Sequence, residues 1–214
     1  MTAAGHGGSD PGAANPYFPG RSEKVITLEI DRAFHRLASM NGHTVYRMRY
    51  DDTDWHVDDI VPTARAVGAD VVLEFHVNSH YPGSPASGIE SLVYPRTQSE
   101  NLAWMMMWAI SRASGLPVRN NPILYVEWTR FRELSDRLHV LTENGFITSP
   151  VDEAMLRDPA VIQAIAWGHL AGIHEYYGLS APSTSPGVVP IILVSAGIVA
   201  LGGAILWAIR REWS

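Results

Sequence analysis

Over residues 1–178, short apolar runs alternate with stretches of helical spacing, and this alternation restricts the possible folds more than any other feature of the chain. "DVVLEF" (70–75), "GIESLVY" (88–94), "PILYV" (122–126) and "RLHVLTE" (137–143) have the length and the β-branched content of strands, as does "HTVYRMRY" (43–50). "SEKVITLEIDRAFHRLASMNG" starts at a Ser22 cap, places Val25, Leu28, Ala33, Leu37 and Met40 near helical spacing, and stops at Asn41-Gly42. Residues 57–67, 98–114 and 159–177 read as further helices. "SPVDEAMLRD" (149–158) reads as a short one, with Pro150 just inside it and acids in its first turn. Strands alternating with helices imply a largely parallel sheet covered on both faces. The expected fold is therefore α/β: a mostly parallel twisted sheet of about five to six strands flanked by helices. In such sheets ligands gather at the carboxyl ends of the strands.

Composition removes several classes of function. The 214 residues, 46% of them hydrophobic, suffice for one domain with a substantial core plus an appendage. A net charge of −6 and the lack of any Lys/Arg run argue against a nucleic-acid partner. Cysteine is absent, so thiolate sites are excluded and any metal must be held by His, Asp or Glu. "GHGGSDPG" (5–12) fails the GxGxxG pattern and lacks the lysine of a phosphate loop, which argues against a nucleotide. "WMMMW" (104–108), at helical spacing, reads as core packing.

The C-terminal part differs in character. "LSAPSTSPG" (179–187) reads as a Pro/Ser linker. Val188 to Ile209 follows without a charged residue; as a helix it would be roughly 33 Å long, against a hydrocarbon core of about 30 Å. The expectation is one C-terminal transmembrane helix at 188–209, contacting a lipid bilayer and followed by a basic tail at 210–214. Arg210 and Arg211 favour a cytoplasmic tail, which would anchor the protein by a single pass with residues 1–178 facing outward. The first thirty residues lack the pattern of a secretory signal.

Four residues at the edges of elements carry the candidate chemistry. His6 follows the apolar stub "MTAA", Glu23 opens the first helix, His76 follows "DVVLEF", and Glu143 ends "RLHVLTE". Two imidazoles and one carboxylate, with the fourth position left to water, are the donor set of a hydrolytic zinc site. A further carboxylate outside that set can carry the proton of the attacking water. No HExxH motif is present, so spacing alone leaves the assignment open.

Five segments appear in the order of a known family: "GHGGSDPGA" (5–13), "SEK" (22–24), "FHVNSH" (75–80), "SGIES" (87–91) and "TENGFITSPVDEAML" (142–156). The chain resembles the zinc-dependent N-acetylmuramoyl-L-alanine amidases, over essentially residues 3–178. The resemblance implies a catalytic domain at 1–178 with one Zn2+ per chain, His6, Glu23 and His76 as its ligands, and Glu143 as the catalytic glutamate. It also implies peptidoglycan as substrate and a single-domain architecture like that of phage endolysins. A host autolysin, and a wall-binding protein with a degenerate site, are the alternatives. The sequence does not set the oligomeric state. Three departures from the family pattern stand out: the short start "MTAA", Asn144 in place of an apolar residue, and Glu74. Glu74 lies two residues before His76, where it would either orient a ligand or be salt-bridged.

Overall fold

The computed structural model describes residues 1–81 and 84–183. Five strands run in chain order as β1 (Thr2–Ala4), β2 (Val71–Asn78), β3 (Ile89–Val93), β4 (Val118–Tyr125) and β5 (Leu138–Phe146). Six helices accompany them: α1 (Glu23–Met40), α2 (Ile60–Ala66), α3 (Ser99–Ser114), α4 (Thr129–Glu133), α5 (Pro150–Leu156) and α6 (Pro159–Tyr176). They form one sheet with strand order β1-β2-β5-β3-β4.

The sheet is mixed, which corrects the expectation of a mostly parallel one. β1, β2 and β5 run parallel to one another, and β3 with β4 runs parallel as a second set, but β3 is antiparallel to β5. The reason lies between β2 and β3. A parallel return needs a crossover of a dozen or more residues, usually a helix; residues 79–88 are too few and contain no helix among the described positions, so the chain turns back. The carboxyl ends of β2 and β5 consequently meet the amino ends of β3 and β4.

"HTVYRMRY" is not a strand. It touches β1 through Thr2 N–H to Tyr46 O (2.8 Å) and Met48 N–H to Thr2 O (2.9 Å), and a three-residue neighbour offers no longer ladder. Its two arginines turn inward. Arg47 pairs with buried Asp31 at 2.5 Å, and Arg49 donates to the carbonyls of Ala4, Gly5 and Lys24. The helices expected within residues 1–178 all form, with 57–67 divided into a 3-10 turn (Val57–Asp59) and α2. The five-residue α4 was not anticipated.

The expected membrane-spanning helix at 188–209 lies outside the described residues. Among the described residues no helix is long and apolar enough to cross a membrane, so neither the membrane-spanning helix nor the membrane-anchored location is supported, and both expectations are withdrawn.

Alternation along β2 sorts its side chains between two environments. Leu73, Phe75 and Val77 point into the main core with Ile26, Ile30 and Phe34 of α1, Met106 and Ile110 of α3, and Ile165 of α6. Val72, Glu74 and His76 occupy the opposite face, where a smaller cluster joins Val72 to Ala3, Ile60, Ala64 and Leu134. Helix α6 sits close against α3 because it carries glycine at two facing positions. A Cβ on Gly168 would lie 2.4 Å from Ile110 Cα, and one on Gly172 would lie 2.5 Å from Met106 Cα. Mid-helix glycine is unfavourable by about 1 kcal/mol, and the tight helix contact offsets that cost. Gly172→Ala should therefore destabilise the fold by about 1–3 kcal/mol through overpacking against backbone, despite the better helix propensity of alanine. Denaturant unfolding at constant m-value measures it, and a stabilised variant would disprove the close contact.

Candidate metal centre

His6 stands just beyond β1 with a positive φ of 62°, a conformation that is strained for any residue with a side chain. Three contacts hold it there. Its carbonyl accepts from Trp55 Nε1 at 2.8 Å, its Nδ1 meets Asp10 Oδ2 at 2.7 Å, and its Nε2 lies 3.1 Å from Glu23 Oε2. The surrounding glycines supply space. A Cβ on Gly12, itself at φ 64°, would fall 2.5 Å from the His6 ring, and one on Gly5 would fall 2.4 Å from the His76 ring. The glycine-rich opening thus leaves room for two imidazoles to approach the backbone.

Glu23 is the first residue of α1 and is buried. Oε1 accepts from Val77 N–H at 3.0 Å and lies 3.0 Å from His76 Nδ1. Oε2 accepts from Ala13 N–H at 2.9 Å and faces His6. Its position at a helix N-terminus also favours negative charge. One donor atom from each of His6, Glu23 and His76 lies within 4.8 Å of the others, and the two rings meet edge to face at 5.1 Å. Two nitrogens and one oxygen, converging at the edge of a sheet, suit zinc. Asp10 on His6 Nδ1 is the outer partner that leaves Nε2 available to a metal.

These groups compete for protons. Burial works to lower the His6 pKa, but the hydrogen bond and charge of Glu23, then those of Asp10, outweigh it and carry it up to about 9. His76 is likewise raised, with Glu23 overcoming burial. Glu23 itself is held well below the usual carboxylate range, as the two histidines outweigh its burial.

Strand register brings in the fourth residue. His76 on β2 pairs with Glu143 on β5, and Glu143 pairs with Glu90 on β3, so the three stand in a row on one face. Burial pushes the Glu143 carboxyl up to about 7, the charges of Glu23 and Glu90 adding to the shift and that of His76 opposing it. Its Oε2 is buried without a hydrogen-bond partner among the described residues. The structure therefore assembles all four residues singled out in the sequence.

Other residues were missed or left open. Glu90 lies within the quoted "SGIES" without a role; it is buried, accepts from Asn78 Nδ2 at 2.5 Å, and pairs with Arg119 of β4 at 2.7 Å. Arg119 gave no signal in the sequence, because only strand order brings β4 beside β3. Glu74, on the same face as His76, takes the salt-bridged of its two readings: Arg130 (2.9 Å) and His139 (2.7 Å) both engage it. His80 is exposed, and its backbone N–H donates to Thr148 Oγ1.

Comparison with known proteins places this geometry in a family. The family model described as N-acetylmuramoyl-L-alanine amidase matches residues 1–175. The sporulation-specific N-acetylmuramoyl-L-alanine amidase of Bacillus subtilis (strain 168) is 29% identical over 192 residues, covering 85% of this chain and 69% of that protein. The endolysin of Bacillus phage SPP1 is 27% identical over 186 residues, covering 84% of this chain and 66% of the endolysin. Among solved structures, the catalytic domain of CwlV, an N-acetylmuramoyl-L-alanine amidase from Bacillus (Paenibacillus) polymyxa var. colistinus, superposes with a TM-score of 0.73. It has 29% identity and covers 84% of this chain and 97% of that domain. The chain belongs to the N-acetylmuramoyl-L-alanine amidase family, whose members are peptidoglycan hydrolases.

Two outcomes follow for metal binding. Zn2+ should raise the melting temperature of the protein, since a ligand at 100 times its Kd adds about 2.7 kcal/mol of stability, and His76→Ala should abolish the shift; an equal shift in the variant would place the ion elsewhere. Because His6 keeps its proton up to about pH 9, metal capture below that pH displaces a proton. Apparent Zn2+ affinity should then rise between pH 6.5 and 9, by up to about tenfold per unit, as isothermal titration calorimetry in two buffers of different ionisation enthalpy would show.

Proposed function

We propose that this chain hydrolyses the amide between the lactyl group of N-acetylmuramic acid and the first L-alanine of the stem peptide, using one zinc ion held by His6, Glu23 and His76 and Glu143 as general base and acid. The observation that carries the reading is the convergence of three donors within 4.8 Å beside a carboxylate in strand register with one of them. Zinc at these donors would polarise the scissile carbonyl and acidify the attacking water.

The protein's own groups do the rest. Glu23 and the Asp10 carboxylate orient His6, and Glu23 orients His76, so the donors are positioned before substrate arrives. Glu143 accepts a proton from the water as its oxygen adds to the carbonyl carbon. It then passes that proton to the alanine nitrogen as the C–N bond breaks, leaving a free amine and a lactyl carboxylic acid that gives up its remaining proton to solvent. A half-buried carboxyl with one oxygen lacking a partner among the described residues suits this double duty, since few solvent contacts must be broken when the proton moves. A wall-binding protein with a degenerate site would not need all four groups in place, and all four are. Relatives from both a bacterium and a phage are consistent with either a lytic phage enzyme or a host autolysin.

Glu143→Gln should keep zinc binding, by the same thermal shift, and lose about 10²–10⁴-fold in turnover on purified cell walls. Mass spectrometry of the products tests the bond: the amidase frees the L-alanine amine, whereas cleavage within the stem peptide would leave muramoyl-alanine and end the assignment.

A further inference from the structure

The row of charged residues on the site face continues past Glu143. Glu90 on β3 has both oxygens occupied, Oε1 by Asn78 and Oε2 by Arg119 Nε at 2.7 Å. The Arg119 guanidinium also lies over the Phe146 ring at 4.7 Å. Its plane is thus fixed from two directions, and it gives Glu90 only one edge. Among the described residues Glu90 is its only polar partner, and 33% of the side chain remains open to solvent. A guanidinium held in this way keeps donors in a planar fork that matches a carboxylate.

We propose that Arg119 is a specificity-determining residue that binds a carboxylate of the stem peptide, so that the peptide half of the substrate lies over β5, β3 and β4. The inference rests on the amidase reading, and the chemistry of the substrate supplies its logic. The lactyl carboxyl of the muramoyl half is consumed in the scissile amide, so that half is uncharged, and free carboxylates occur only on the peptide half. A fixed cation on one side of the centre therefore tells the two halves apart. Spacing agrees. Adjacent strands lie about 4.8 Å apart, and Glu90, which holds the guanidinium, is two strands from His76. That is about 10 Å, or two to three residues of extended peptide at about 3.4 Å each. The α-carboxylate of the acidic second residue of the stem falls within that reach. Glu90 acts here as a positioning residue, holding the arginine through its Nε.

The test uses two muramoyl-tetrapeptides that differ only in whether the α-carboxylate of the second residue is free or amidated. The zinc-loaded full chain should prefer the free acid by about tenfold or more in kcat/KM. Arg119→Gln should bring that ratio close to one, and Arg119→Lys should restore part of it. A merely structural arginine would lower both rates together and leave the ratio intact, so a preserved ratio in Arg119→Gln overturns the proposal, as does a ratio near one in the wild type. Binding of the two product peptides, followed by calorimetry, should show the same discrimination without turnover. If the wild type cleaves neither substrate, the amidase reading fails, and the peptide-binding ratio still decides the role of Arg119.

Discussion

The carboxylate of Glu23 is the interaction on which the site depends. One buried group at the first position of α1 faces His6 with one oxygen and His76 with the other, while Val77 and Ala13 donate backbone N–H groups to it. It ties β1, the glycine-rich loop, α1 and β2 together at a single point. A buried charge is expensive unless it is paired and hydrogen-bonded; here it is both. A strained His6 backbone is tolerable on the same ground, since the geometry around it is over-determined.

The sheet separates the work of packing from that of chemistry. Side chains alternate across β2, so Phe75 seals the main core while His76, its neighbour, faces the site. Parallel register with β5 places Glu143 opposite His76, and the antiparallel β3 brings Glu90 opposite Glu143. A fully parallel sheet would have put the start of β3 at the far end, with Glu90 and Arg119 away from His6, Glu23 and His76. The reversal of β3 and β4 is therefore what extends the candidate metal centre into a row of charged groups across neighbouring strands. Behind that face, the glycine contacts of α6 on α3 hold the helical layer close.

Much of this was legible in the chain. The strands at 70–75, 88–94, 122–126 and 137–143 and the long helices carried their periodicity and caps openly, because period-2 and period-3.6 patterns reflect local burial. The segment 43–50 misled because its arginines mimic an outward polar face while being satisfied internally by Asp31 and by backbone carbonyls. Direction within the sheet was not legible, since strand composition does not encode the neighbour's sense, and the short 79–88 connection constrains it only once β2 and β3 are known to share one sheet. His6, Glu23, His76 and Glu143 stood out because they sit in segments with metal-ligand or acid–base chemistry, and the structure brings them together. Arg119 could not be, because an arginine in a polar stretch is ordinarily a solvated one. Glu74 shows the converse: two residues from a ligand and on its face, it is neutralised by Arg130 and His139 instead.

By itself, then, the sequence determined which residue types could hold a metal, that no cysteine could do so, and where most helices and strands would form. These are properties of local pattern and donor chemistry. Tertiary structure alone decided that donors 17 and 53 residues apart (6 to 23, 23 to 76) share one point, that the sheet is mixed, and that Glu90 and Arg119 extend the row beside Glu143. Those outcomes depend on which strands become neighbours, and neighbourhood is settled by the packing of the whole chain, which no single segment contains.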